Sequence, residues 1–115
     1  MTANTHAPSV DVALEALADP VRRRAIELLA TRPHRAGELA ALLGVTAPTM
    51  SKHLRTLRQG GLVTDTHPEF DTRVRIYALR TNGFAGLRRW LDHTEQGWAE
   101  QLDAFAAHVR QHHGS

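Results

Sequence analysis

Residues 44–63 read Gly44-Val45-Thr46-Ala47-Pro48-Thr49-Met50-Ser51-Lys52-His53-Leu54-Arg55-Thr56-Leu57-Arg58-Gln59-Gly60-Gly61-Leu62-Val63, and this stretch decides the fold. It predicts a short helix with Thr46 as N-cap and glycine beyond each end. At about 100° per residue, Met50, Leu54 and Leu57 form one apolar stripe. Pro48, Ser51, Lys52, Arg55 and Gln59 lie about half a turn away, with Thr49 and Thr56 on one flank. Thr46 and Ala47 lead the N-terminal end, where free N–H groups and the helix dipole favour phosphate. The hydroxyls can meet a phosphate or a base edge, the Ala47 methyl a thymine methyl, and Lys52 and Arg55 guanine or backbone. His53 sits at the edge of the apolar stripe and is expected to bond backbone or phosphate.

A solvated polar face is the competing reading, since any surface helix has one. The residues upstream decide against it. A helix is expected over Ala36–Leu43, burying Leu39, Leu42 and Leu43 and closing on Gly44. Two capped helices joined by a tight Gly44-Val45 turn make a helix-turn-helix. Before them, Val10, Ala13, Leu14 and Leu17 share one helical face that Ser9 can cap. Asp19-Pro20 then starts a helix through Val21, Ile26, Leu28 and Leu29 that stops before Pro33. The Arg22-Arg23-Arg24 run fans around that helix, so one or two are expected at phosphate and the rest in solvent.

Downstream the period changes. Leu62–His67 and Arg73–Leu79 read as two strands around a polar turn at Pro68–Thr72. Arg73, Arg75 and Tyr77 alternate with Val74, Ile76 and Ala78, so the two arginines share a face beside the turn. Such arginines suit a minor groove, and they also protect a hairpin edge from pairing with another molecule. Glu69 and Asp71 in the same turn count against the first use. The rest is helical: Phe84, Leu87, Leu91, Trp98, Leu102, Phe105 and Val109 form a heptad-like seam longer than a small domain needs for its own core. Gly97 is the point at which that helix would bend or break.

The expected fold is mainly α with a small β-hairpin, a winged helix-turn-helix with a long C-terminal dimerisation helix. It divides into an irregular arm at 1–8, the winged domain at 9–80, a helical dimerisation segment at 81–111 and a frayed tail at 112–115. A chain of 115 residues suits one domain. Cysteine is absent, which excludes disulfides, thiolate metal sites and a thiol nucleophile. No apolar run is long enough for a membrane span, and residues 1–9 lack a signal-peptide layout, so the expected location is cytoplasmic. Residues 1–90 hold 13 of the 14 basic and 8 of the 12 acidic side chains, a balance of +5, against −3 for residues 91–115. A basic body suits a polyanion partner, although a GC-rich genome also raises arginine content.

At this point the chain resembles the ArsR/SmtB family of bacterial winged-helix repressors. The likeness rests on Ala16-Leu17-Ala18-Asp19-Pro20-Val21-Arg22-Arg23-Arg24-Ala25-Ile26, Gly37-Glu38-Leu39-Ala40, Pro48-Thr49-Met50-Ser51-Lys52-His53-Leu54, Gly61-Leu62-Val63 and Arg75-Ile76-Tyr77-Ala78-Leu79. The resemblance implies a homodimeric repressor on an imperfect palindrome in double-stranded DNA, released by an inducer that the sequence does not identify. It implies dimerisation through the first and last helices, here Val10, Leu14 and Leu17 with Phe84, Leu87, Leu91, Trp98, Leu102, Phe105 and Val109. The DNA-binding residues are then Thr46, Ala47, Pro48, Thr49, Ser51, Lys52 and Arg55, with Arg73 and Arg75 on the wing.

The family's metal sites do not carry over. Ala40 and Leu42 stand where its arsenic and cadmium sensors have paired cysteines. Its zinc pattern needs an Asp-x-His pair, and here Asp92 and His93 are adjacent. His108 and His112, four apart on one helical face, are the weak metal candidates. A polar C-terminus interacting with the helix dipole explains them as well, and no cofactor is expected. A metal- or ligand-responsive sensor of the same fold is the alternative function, and a winged helix that binds only protein is a further one. No enzyme motif is present; Ser51 and His53, two positions apart on a helix, point to nearly opposite sides.

Overall fold

The computed structural model describes the backbone of residues 10–113 and the side chains of residues 10–111. The arm expected at 1–8, the cap at Ser9 and the last two tail residues lie outside the described residues. The chain forms two compact units that divide after Phe84.

The first unit contains α1 (Val10–Ala16), α2 (Pro20–Thr31), β1 (His34–Arg35), α3 (Ala36–Leu43), α4 (Ala47–Gln59), β2 (Val63–Thr66) and β3 (Ile76–Leu79). The helix-start chemistry is as expected. Asp19 caps α2 by accepting from the N–H groups of Val21 and Arg22 at 2.7 and 3.2 Å, and Pro20 occupies the first helical position. Thr46 caps α4 by accepting from the Thr49 N–H. Gly44 ends α3 at φ 69°, a left-handed conformation that glycine reaches without a Cβ clash.

Met50, Leu54 and Leu57 of α4 are 0% exposed and meet Ala25, Leu29, Leu39, Ala40, Leu62 and Val63 in one core. α1 reaches that core through Ala13 and Ala16, with Leu17 packed beside them. Leu14 stays exposed. Leu42 corrects the sequence reading: it is 56% exposed. Leu39, Ala40 and Leu43 already define the inner face of α3, and Leu42 falls off that face on a 3.6-residue repeat.

The sheet also departs from expectation. It has three strands in the order β1-β3-β2, all antiparallel. β1 pairs His34 with Tyr77 and Arg35 with Ile76; two residues after a proline are too few to show alternation. β3 begins at Ile76, so Arg73, Val74 and Arg75 belong to the wing loop and not to the strand. Hydrogen bonds from the Asp71 N–H to the Pro68 carbonyl and from the Val74 N–H to the Asp71 carbonyl fold that loop on itself. The ladder closes at the other end where Gly83 passes the chain: a Cβ there would lie 2.6 Å from the Gly61 carbonyl oxygen. Phe84, expected on the C-terminal seam, packs against the core of this unit.

The second unit is α5 (Ala85–His113), a continuous helix of 29 residues about 44 Å long. It runs unbroken through Gly97. Its large apolar residues lie open: Trp98 is 60% exposed, Leu102 60% and Phe105 65%, with Trp90, Leu91 and Val109 also exposed.

Candidate nucleic-acid interface

α4 has a covered side and an open side. Opposite Met50, Leu54 and Leu57, the residues Thr46, Ala47, Pro48, Thr49, Ser51, Lys52 and Arg55 are all exposed. Thr46 donates its hydroxyl proton to the Thr49 oxygen at 2.9 Å, which leaves the Thr49 hydroxyl proton free to donate outward. Lys52 and Arg55 make no ion pair among the described residues. The sequence-predicted reading residues are therefore together on one open surface, with two uncommitted cations in the middle of it.

The wing arginines are held differently. Arg73 is exposed and leans on Asp71, Nε to Oδ1 3.5 Å, while its backbone N–H donates to the same oxygen. Arg75 donates to Asp65 Oδ2 at 2.6 Å, and Arg58, from the last turn of α4, donates to Asp65 Oδ1 at 3.2 Å. Burial raises the Asp65 pKa, but the hydrogen bonds from Arg75 and Arg58, with their positive charges, outweigh it and hold the carboxyl below its ordinary value. Arg73, Arg75 and Tyr77 line one cleft with Arg35 and Ser51, but Val74 lines it too, so the wing loop does not sort the arginines from Val74 as strand alternation would. Tyr77 is nonetheless nearly buried.

Arg58 and Asp65 were not picked out by pattern. The available signal was a single acid between Thr64 and Thr66 on the strand that follows Arg58.

The α2 arginines also serve differently than expected. Arg22 donates Nε to the Ala16 carbonyl at 2.6 Å and Nη2 to the Glu15 carbonyl at 3.1 Å. Arg23 donates to the Leu17 carbonyl at 2.7 Å. These cations satisfy the open carbonyl end of α1. Arg22 Nη1 is also 3.2 Å from His53 Nδ1. A guanidinium can only donate, so Nδ1 accepts and Nε2 carries the proton. His53 is thus bonded through Nδ1 to a side chain, where a backbone or phosphate partner was expected. Asp19 lies beside this pair. Burial raises its pKa, but the Arg22 and Val21 N–H groups and the charge of Arg22 bring it below the ordinary value.

His108 is on the exposed surface of α5, and the His112 side chain lies outside the described residues. Among the described residues no three His, Cys, Asp or Glu side chains are grouped so as to hold a metal ion. No helix among them is long and apolar enough to cross a membrane.

Comparison with known proteins agrees with this geometry. Residues 19–65, from the α2 cap to the middle of β2, match the family model described as bacterial regulatory protein, arsR family. The chain is 42% identical over 98 residues to the HTH-type transcriptional regulator Rv2034 of Mycobacterium tuberculosis, covering 85% of this chain and 86% of that one. It is 33% identical over 51 residues to the transcriptional repressor SdpR of Bacillus subtilis, covering 44% of this chain and 57% of that one. The crystal structure of an ArsR family transcriptional regulator superposes with a TM-score of 0.69 at 28% identity, over 78% of this chain and 90% of the other. An open cationic helix on a winged helix-turn-helix core and a relative of nearly equal length lead to the same place: the chain belongs to the ArsR family of bacterial regulatory proteins, and is a DNA-binding transcriptional regulator, not an enzyme.

Proposed function

We propose that the protein is a homodimeric repressor of the bacterial cytoplasm that binds an imperfect palindrome, each α4 entering a major groove. The observation that carries this is the open face of α4, where Lys52 and Arg55 are exposed and unpaired among the described residues. Ser51, Lys52 and Arg55 meet base edges, while Thr46, Ala47, Pro48 and Thr49 bring the helix N-terminus to phosphate. Arg73 and Arg75 contact the backbone or minor groove from the wing. That a relative is named a repressor supports repression here.

The second copy covers the apolar row of α5. Leu87, Leu91, Trp98, Leu102, Phe105 and Val109 recur at heptad-like spacing, the pattern of a helix that packs against a helix. Val10 and exposed Leu14 of α1 join that interface, as the family resemblance implies. Leu17 and Phe84 contribute chiefly to the core. Two copies related by a twofold axis present their α4 helices about 34 Å apart, one turn of DNA. Release by an inducer belongs to the same reading, and its site is not assigned to particular residues.

Mapping the genomic sites bound by the protein and footprinting them tests the proposal. It predicts two half-sites about 10 bp apart, centre to centre, protected by two chains. Single, unpaired half-sites occupied by one chain would overturn it.

A further inference from the structure

We infer that Asp65 assembles a seat for a single phosphodiester oxyanion between the recognition helix and the wing. A cleft of about 260 Å³ lies there, lined by Ser51, Arg55, Arg58, Arg75 and Tyr77. Three guanidiniums, one serine hydroxyl and one phenol surround it, and among the lining residues there is no carboxylate. The Asp65 side chain is 12% exposed, yet its two oxygens hold Arg58 at 3.2 Å and Arg75 at 2.6 Å. Each guanidinium has five N–H donors; one from each is engaged by Asp65, and both side chains remain about half exposed, 47% and 51%.

One half-buried acid therefore fixes two cations from different elements, α4 and the wing loop, with donors still available to an anion. Counting Arg55, the group retains two net positive charges. Tetrahedral oxyanions with in-plane fork donors on two sides are the ligands such arginines recognise. Ser51 and Arg55 place the cleft along the open face of α4, so the phosphate is one of the DNA backbone flanking the groove that α4 reads. This rests on the DNA-facing reading above and adds to it a shared contact, with Arg58 as a ligand and Asp65 as the positioning residue.

The test uses the full chain on a random-sequence duplex across a salt series, with Arg58→Ala, Arg75→Ala, the double variant and Asp65→Asn. A shared phosphate predicts that either single variant leaves the slope of log affinity against log salt nearly unchanged, since the remaining arginine still neutralises it, and that the double variant flattens it by about 0.9. Two separate phosphates would give about 1.8 for the double variant and overturn the seat. Both arginines are half exposed, so their truncation leaves the core intact. Asp65→Asn separates positioning from charge. It removes a negative charge, which by itself tightens DNA binding, whereas loss of positioning weakens it by about tenfold, some 1.4 kcal/mol. Tighter binding would overturn the role of Asp65. Inorganic phosphate, against chloride at equal ionic strength, distinguishes the source of the anion. Release of duplex by millimolar phosphate but not by chloride, seen in wild type and absent from the double variant, supports one seat that a backbone phosphate occupies, and phosphate binding that releases no duplex overturns it in favour of a free anion. Absence of any wild-type binding to duplex would instead refute the DNA-facing reading itself.

Discussion

α4 and α5 are both amphipathic helices, and they differ in which side is covered. In α4 the apolar stripe of Met50, Leu54 and Leu57 is wholly buried, and the cationic side is open. In α5 the apolar row of Leu91, Trp98, Leu102, Phe105 and Val109 is itself exposed. A monomer rarely leaves a continuous row of large apolar side chains in water. The difference teaches that α4 completes its packing within the chain and the apolar row of α5 does not; the proposed function gives the open side of α4 to DNA and the row of α5 to a second copy.

The largest effect that can break this contrast is truncation after Asp92, which deletes Trp98, Leu102, Phe105 and Val109. It should abolish the dimer, leaving a monomer or an unfolded chain by light scattering and circular dichroism; a well-folded dimer would refute the assignment of α5. Next comes a matched pair of leucines. Leu54→Ala should cost about 2–5 kcal/mol in urea denaturation at every protein concentration. Leu102→Ala should show a loss that depends on concentration, since its proposed partner is a second chain. Equal losses independent of concentration would mean that both helices pack only within the chain.

Smaller effects sharpen the outward face of the first unit. Replacing Arg73 and Arg75 together by alanine should weaken binding to all duplexes and flatten the salt slope by roughly 1–2. A loss confined to one operator position would mean that the wing reads bases. Asp19→Ala should lower stability by about 1 kcal/mol by removing the α2 cap. Because the folded Asp19 carboxyl ionises below its ordinary value, its contribution is complete above the unfolded pKa of about 3.9. It disappears as pH falls through the lower folded value, so wild type and variant should converge in strong acid. A constant difference down to that pH would contradict the charged cap.

Much of this was readable from the chain because local chemistry set it. Asp19-Pro20, Thr46 and Gly44 mark their helix ends by hydrogen bonding and backbone conformation that depend on few neighbours, and the end of α3, though not its start at the uncapped Arg35, follows from Gly44. Tertiary partners were less legible. Leu42 and Leu43 are equally apolar, and only the position of α2 and α4 decides which turns inward. β1 exists because β3 lies beside it, since His34-Arg35 has no strand signal of its own. The arginines were the hardest to place. Arg22, Arg23 and Arg24 fan around a helix, a spacing that leaves one or two for phosphate and the rest for solvent, yet Arg22 and Arg23 close the end of α1. Arg58 carried no pattern of its own, yet a carboxylate seven residues away holds it. A cation's use depends on which carbonyl or carboxylate the fold brings within reach, and spacing alone does not encode that.

The central claim is that the open face of α4 is the DNA reader. Lys52→Ala with Arg55→Ala changes only exposed side chains of that face, and sedimentation of the double variant should give the same mass as wild type. Titrated against a mapped operator at fixed salt, the double variant should lose specific binding and retain only the weak affinity it has for random duplex. Unchanged operator affinity would contradict the account.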